Sequence, residues 1–192
     1  MKSLVVLTLM LAIIILRLLK MLETVIILKK VFVIAEIGSN HNHDFSLATR
    51  MIDEAAAAGV DAVKFQTFRA ESHYSVHTPN FSSLEGGSTF ELVKSLELDR
   101  SWHAPLKKYC ESLNLVFLSS PCDIDAIDEL DKLDIAALKV PSCELSDLGL
   151  VRHMAQTGRP IILSTGLADW MDIQRAVDTC RGVGNKNIVL LQ

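Results

Sequence analysis

The chain has 192 residues, 49% of them hydrophobic, and carries 19 Lys and Arg against 23 Asp and Glu for a net charge of −4. That length suits one domain with a sizeable core, and the mild acidity without a basic stripe argues against nucleic-acid binding. The four cysteines, Cys110, Cys122, Cys143 and Cys180, form no C-x-x-C pair and sit in apolar or helical patterns. They read as buried reduced thiols of a cytoplasmic protein rather than as disulfides or metal ligands.

Residues 1–30 form an apolar N-terminal extension. Residues 3–16 are uncharged, with Lys2 before them and Arg17 and Lys20 after, which is short of the roughly 20 residues of a spanning helix. No small-residue cleavage site follows. A signal or anchor, an unusual apolar helix, and translated sequence upstream of a start at Met21 all fit. A start at Met21 is preferred because the segment it opens leads directly into Val31, and a membrane protein is not expected.

From Val31 the chain alternates strand and helix patterns. Residues 31–37 are a β-branched apolar run that turns polar at Glu36, Gly38, Asn40, His41 and Asn42, as strands buried in α/β folds do at their functional ends. A helix follows over 46–58, with Ser46 as its N-cap, a stripe of Leu47, Met51, Ile52 and Ala55, and a stop at Gly59. Residues 60–68 form a second strand ending in Lys64 and Gln66. The polar stretch 69–88 has the length of a binding loop or lid. Helices follow over 89–96 and from a cap at Asp99, with Trp102, Leu106, Cys110 and Leu113 at helical spacing.

Residues 115–119 form a third strand closed by Ser119-Ser120-Pro121, and Asp123 starts a helix with Ile124, Ile127 and Leu130 on one face. Residues 136–140 form a fourth strand, followed by Pro141, Ser142, Cys143 and Glu144, then a helix through Leu148, Val151 and Met154 that halts at Gly158. A fifth strand at 160–163 ends in Ser164, Thr165 and Gly166. Asp169 caps the next helix, and Ile188 opens a sixth strand.

Six strand–helix repeats predict a parallel sheet with right-handed crossovers. Polar residues end nearly every strand, and the first turn has no G-x-G-x-x-G. Together these predict a (β/α)8 TIM-type barrel over a doubly wound sheet, truncated here after about six strands. In a barrel the strand ends face one mouth: Glu36, Lys64, Gln66, Ser119, Ser120, Lys139, Ser142, Glu144, Ser164 and Thr165. Two lysines with several hydroxyls suit a phosphorylated or carboxylated small molecule, and two carboxylates suit proton transfer or sugar hydroxyls. Singly, each has an ordinary reading as a surface Lys, a loop Ser or a capping Glu. Lys64 resists it, since it lies in a run too apolar for a solvated face. Among the histidines only His41 is placed for function; His43, His73, His77, His103 and His153 have no ligand spacing.

The segments Ile34-Ala-Glu-Ile-Gly-Ser-Asn-His-Asn42, Ala62-Val-Lys-Phe-Gln-Thr-Phe68, Phe117-Leu-Ser-Ser-Pro121, Lys139-Val-Pro-Ser-Cys-Glu144 and Pro160-Ile-Ile-Leu-Ser-Thr-Gly166 resemble, in order, those of the sialic acid synthase family. That family comprises N-acetylneuraminate, legionaminate and pseudaminate synthases and the 9-phosphate synthases. The likeness runs from about Val31 to the last residue and does not single out one sugar. It implies a (β/α)8 barrel that condenses phosphoenolpyruvate with an N-acylated aldohexose, N-acetylmannosamine-like, giving a nonulosonic acid and phosphate.

By motif, the resemblance assigns Lys64, Ser120, Lys139, Ser142 and Ser164 to the phosphate and carboxylate of phosphoenolpyruvate, with Gln66 beside them. It assigns Glu36 and Glu144 to proton movement and the sugar. It also implies a divalent metal, Mn or Mg, whose histidine ligands would follow Gln192, and a homodimer with a small C-terminal antifreeze-like domain, absent here. On that reading the chain is an inactive fragment. Ser119-Ser120-Pro121 replaces a common Ser-Thr-Pro, and Pro141 replaces a small residue. Another phosphoenolpyruvate-condensing keto-sugar-acid synthase, or a non-catalytic barrel fragment that binds a ligand or partner, are the alternatives.

Overall fold

Strands and helices alternate along the chain in the computed structural model, which describes residues 31–80 and 88–192. The expectations for the apolar segment 1–30, and for residues 81–87 of the long loop, lie outside the described residues. Val33–Gln192 forms one compact unit. Its strands are β1 (Ile34–Gly38), β2 (Ala62–Thr67), β3 (Val116–Pro121), β4 (Leu138–Val140), β5 (Ile161–Ser164) and β6 (Ile188–Leu191). They pair in sequence order and all in parallel, making the incomplete barrel wall that the repeats predict.

The helices are α1 (Phe45–Ala57), α2 (Ala70–His73), α3 (Thr89–Ser95), α4 (His103–Ser112), α5 (Ile124–Lys132), α6 (Leu148–Gln156) and α7 (Trp170–Gly182), with a 3₁₀ turn at Arg100–Trp102. Aspartates cap most of them. Asp123, Asp147 and Asp169 accept backbone N–H bonds at the starts of α5, α6 and α7, satisfying donors that the first turn leaves unpaired. The α1 cap is Asp44, which accepts from the amides of Ser46 and Leu47, and not Ser46 as expected. An Asp just ahead of Phe45 reaches those amides, and Ser46 already lies inside the first turn. Asp99 caps the 3₁₀ turn, and the regular helix begins only at His103.

Period-two alternation gives the sheet two faces. Val63, Phe65, Phe117, Leu138, Val140, Ile161 and Leu163 point outward and pack against Ile52, Leu106, Ile127, Leu130, Val151 and Met154 of the helices. Burying each such side chain stabilises the fold by about 1.5–3 kcal/mol. Inward, Ala62, Leu118 and Ala137 meet Ile34, Val116 and Ile162 in a smaller cluster that floors the barrel. The inward residues nearer the strand C-termini are polar.

The stretch expected as one long loop folds in part. α2 packs on α3 through Ala70, Phe90 and Val93, with Phe68 and Tyr74 against them. Glu97 accepts from the Ala70 amide at 2.7 Å, and Lys94 pairs with Glu71 at 2.9 Å. This small satellite stands over the ends of β2 and β3.

Behind β2 and β3 lies a buried polar network. The Thr67 hydroxyl meets His103 Nε2 at 2.9 Å and Ser119 Oγ at 2.8 Å. Arg100 donates to Asp123 at 2.5 Å and to Glu129 at 3.4 Å. Burial first, then Arg100, lowers the pKa of His103 from 6.5 to about 4. The unfolded chain therefore binds a proton at pH values where the folded chain does not. The contribution of His103 to stability is complete above about pH 6.5 and is lost as pH falls toward 4. Urea midpoints of the native chain should drop across that window, and those of His103→Gln should drop less; equal slopes for the two proteins would refute the assignment.

Candidate active site

Six of the eight residues that the resemblance assigns to a site line one cavity of about 650 Å³ at the C-terminal ends of the strands: Glu36, Lys64, Gln66, Ser120, Lys139 and Ser164. Registry explains the convergence. Glu36 lies opposite Lys64, and Gln66 opposite Ser120. Ser119 pairs with Leu138, so Ser120 and Lys139 share the inner face.

Lys64 is 8% exposed. Its ammonium forms an ion pair with Glu36 and donates to Ser120 Oγ at 3.2 Å. Gln66 Nε2 donates to the other Glu36 oxygen at 3.3 Å, and the Gln66 carbonyl accepts from Ser39 at 3.3 Å. β1 shifts register between Glu36 and Gly38. Gly38 has φ of 58°, and a Cβ there would sit 3.3 Å from Glu36 Oε1 and 3.4 Å from Gln66 Nε2. Both the positive φ and the close approach call for glycine.

Lys139 differs from Lys64. Among the described residues no carboxylate lies within ion-pair distance of it. Burial first, then repulsion from Lys64, holds its ammonium below the ordinary lysine range, and Glu36 offsets part of this. Two ammonium groups against one nearby carboxylate leave this end of the cavity in need of an anion.

Ser142 and Glu144 sit on the turn after β4, closed by a bond from the Glu144 amide to Pro141 O at 3.1 Å. Pro141 and Cys143 of that turn line the cavity, while Ser142 and Glu144 lie outside its lining. Ser142 Oγ lies 3.9 Å from where a Cβ on Gly166 would be, beside the end of β5. Glu144 Oε1 meets His73 Nε2 at 3.2 Å.

Three expectations are corrected by position. His41 is fully buried on the helix side of the sheet, tilted against Phe65 and edge-on to Trp102, and does not line the cavity. Ser119 and Thr165 point outward: Ser119 bonds to Thr67, and Thr165 donates to Leu191 O at 3.0 Å. Cys110 and Cys180 are buried free thiols as expected, but Cys143 is exposed and Cys122 only half-buried, and both line the cavity.

The sequence reading also missed some of the lining. Phe68, Tyr74, Val93 and Leu96 form an apolar wall, and His73 joins them from α2. The ligating atoms of His73, Cys122 and Glu144 all lie within 4.8 Å of one another. Burial first, then Glu144, pushes the Cys122 thiol up to about 12. Only the position of Cys122, just after a polar strand end, signalled its place.

A sequence profile described as the NeuB family matches residues 51–192. The chain is 39% identical over 163 residues to the spore coat polysaccharide biosynthesis protein SpsE of Bacillus subtilis, covering 84% of this chain and 44% of that protein. It is 36% identical over 171 residues to N,N'-diacetyllegionaminic acid synthase of Campylobacter jejuni, covering 85% and 51%. The crystal structure of N-acetylneuraminic acid synthetase from Leptospira borgpetersenii, in complex with citrate, superposes with a TM-score of 0.74 at 32% identity, covering 84% of this chain and 53% of that one. The chain spans about half the length of the curated relatives it matches.

Removing the Glu36 carboxylate leaves the Lys64 ammonium with a neutral Ser120 hydroxyl and the repelling ammonium of Lys139. Glu36→Ala should cost about 1–3 kcal/mol, less than for a fully buried pair because the Glu36 side chain is 45% exposed. Adding Lys64→Met should recover most of the loss in urea unfolding. Equal losses for the single and double variants would show that the pair is not coupled.

Proposed function

The chain belongs to the NeuB family, and on that premise we propose that its cavity holds phosphoenolpyruvate for condensation with an N-acylated aldohexose, giving a nonulosonic acid and phosphate. The observation that carries this reading is the anion-seeking layer of Lys64 and Lys139 with Ser120 and Ser164, facing one cavity. A phosphate and a carboxylate on one small molecule supply the negative charge those ammonium groups lack. The names of relatives such as the legionaminic acid synthase agree with it.

In this reading Lys64, Lys139, Ser120, Ser142 and Ser164 grip phosphate and carboxylate, and Gln66 orients Glu36. Fixed cations on strand ends hold the enol in line without reorganising during the reaction. Carbon 3 of phosphoenolpyruvate uses its C=C π pair to bond the aldehyde carbon of the sugar, whose C=O π pair moves onto oxygen and takes a proton from solvent, and positive charge develops at carbon 2. Water adds there as Glu36 or Glu144 takes its proton. Phosphate then leaves with the C–O bond pair as the new hydroxyl on carbon 2 gives up its proton and closes to the keto group. The sugar end falls toward Glu144 and the satellite carrying Phe68 and Tyr74, whose apolar wall suits an N-acyl group.

The resemblance places the histidine ligands of Mn or Mg after Gln192, so the residues described here are not the ones that would hold it. Among them the one trio of ligating atoms, His73, Cys122 and Glu144, includes a thiol, a soft donor that those hard cations disfavour. No step above runs through such a metal. A homodimer, a cytoplasmic location and a separate apolar extension before residue 31 remain parts of the proposal. No helix among the described residues is long and apolar enough to cross a membrane.

Calorimetric titration with phosphoenolpyruvate tests the anion site. Lys139→Gln should weaken binding at least tenfold, about 1.4 kcal/mol. Wild-type affinity should fall as pH rises through the lowered pKa of Lys139, earlier than an ordinary lysine allows. An unchanged affinity in Lys139→Gln would sink the assignment.

A further inference from the structure

We propose that His73, Cys122 and Glu144 form a binding site for a zinc-class divalent cation, which clips the satellite to the barrel mouth. The three side chains come from separate elements. His73 ends α2, Cys122 follows β3, and Glu144 lies on the turn after β4, yet their ligating atoms lie within 4.8 Å of one another. Sequence separations of this size hide such a trio from any local spacing rule.

The donor set selects the ion. Imidazole nitrogen, thiolate sulfur and carboxylate oxygen together suit zinc, whereas oxygen-only sites suit magnesium and calcium. The spacing agrees. His73 Nε2 and Glu144 Oε1 are 3.2 Å apart, close to the edge of about 3.3 Å of a tetrahedron with metal bonds of about 2.0–2.1 Å. The sulfur, no more than 4.8 Å from the other two atoms, closes by about 1.2 Å at most to reach its own bond of about 2.3 Å. α2 is a single turn, so His73 can make that adjustment. Its ring is already held between Phe68 and Tyr74, which fixes its approach.

His73 and Glu144 are 23% and 15% exposed at their side chains, so an ion can enter from the cavity. Three protein ligands leave a fourth position for water or a cavity ligand, the pattern of exchangeable zinc sites. Binding forms a sulfur–metal bond and sends the thiol proton to solvent; no electron moves. The bland alternative is a hydrogen-bonded His–Glu clip with the thiol as bystander. The site does not rest on the proposed reaction, although an ion there would draw Glu144 away from a sugar.

The test is titration of the whole chain with Zn²⁺ by calorimetry, with Co²⁺ as the spectroscopic probe. One Zn²⁺ per chain is expected, and Co²⁺ should show the intense near-ultraviolet absorption of a thiolate-to-cobalt transition. Cys122→Ser should erase that absorption, and His73→Ala, a change at a partly exposed position, should weaken Zn²⁺ binding at least tenfold. Cys143→Ser removes the neighbouring exposed thiol and should leave both signals intact. The proposal is overturned if wild type binds Zn²⁺ no tighter than His73→Ala. It is equally overturned if the cobalt absorption survives Cys122→Ser and disappears in Cys143→Ser.

Discussion

A lysine only 8% exposed in a barrel wall sets the terms for the mouth of this protein. Charge in that position is tolerated only where partners replace the water it has lost. Lys64 finds Glu36 on the strand before it and Ser120 on the strand after it, so one side chain ties three consecutive strands together. Glu36 is in turn bonded by Gln66, and Gln66 by Ser39. The break in register at Gly38 lets the end of β1 close over this chain of contacts. Little of that arrangement can move independently, since each side chain in it is held by the next.

The same strands carry a second network on their other face. Ser119 and Ser120 are neighbours in sequence and serve opposite sides. Ser120 meets Lys64 at the cavity, while Ser119 meets Thr67 and, through it, His103. Arg100 bonds Asp123, the α5 cap, two residues past the end of β3. The outward network therefore braces the turn that presents Ser120 and Cys122. A polar pair at a strand end reads as one feature in sequence, but alternation divides it into a site residue and a bracing residue.

That division also marks how much was legible beforehand. The parallel sheet and ten strand-end residues, six of which line the cavity, followed from polar ends on apolar strands, because each inference needed only local pattern and period. His41 was misplaced because its loop turns back: it packs on Phe65 and Trp102 behind the sheet, and no local signal shows which side a loop residue takes. The apolar wall was hidden for a different reason. The stretch after β2 is polar overall, and among the described residues its apolar Phe68, Ala70 and Tyr74 pack with Phe90 and Val93, about twenty residues on. Cys122 and His73 were set aside for want of ligand spacing, a criterion that sees only neighbours in sequence.

Rigidity is divided unequally around the cavity, and the division has a chemical sense. The lysine-bearing end is built from strand residues whose backbones are locked in the sheet ladder, with Glu36, Lys64, Gln66 and Ser120 locked to one another. The opposite wall comes from the satellite, a small cluster with its own core of Ala70, Phe90 and Val93, joined to the barrel by few polar contacts such as His73 with Glu144. A reactant common to a whole reaction class needs fixed charges at fixed distances, since small displacements of charge cost rate steeply. The portion of a ligand that varies needs a surface that can be reshaped without disturbing that geometry. Substitutions in the satellite can therefore alter the apolar wall while leaving Lys64, Lys139 and their strands in register. The contact between His73 and Glu144 links the satellite to the turn after β4.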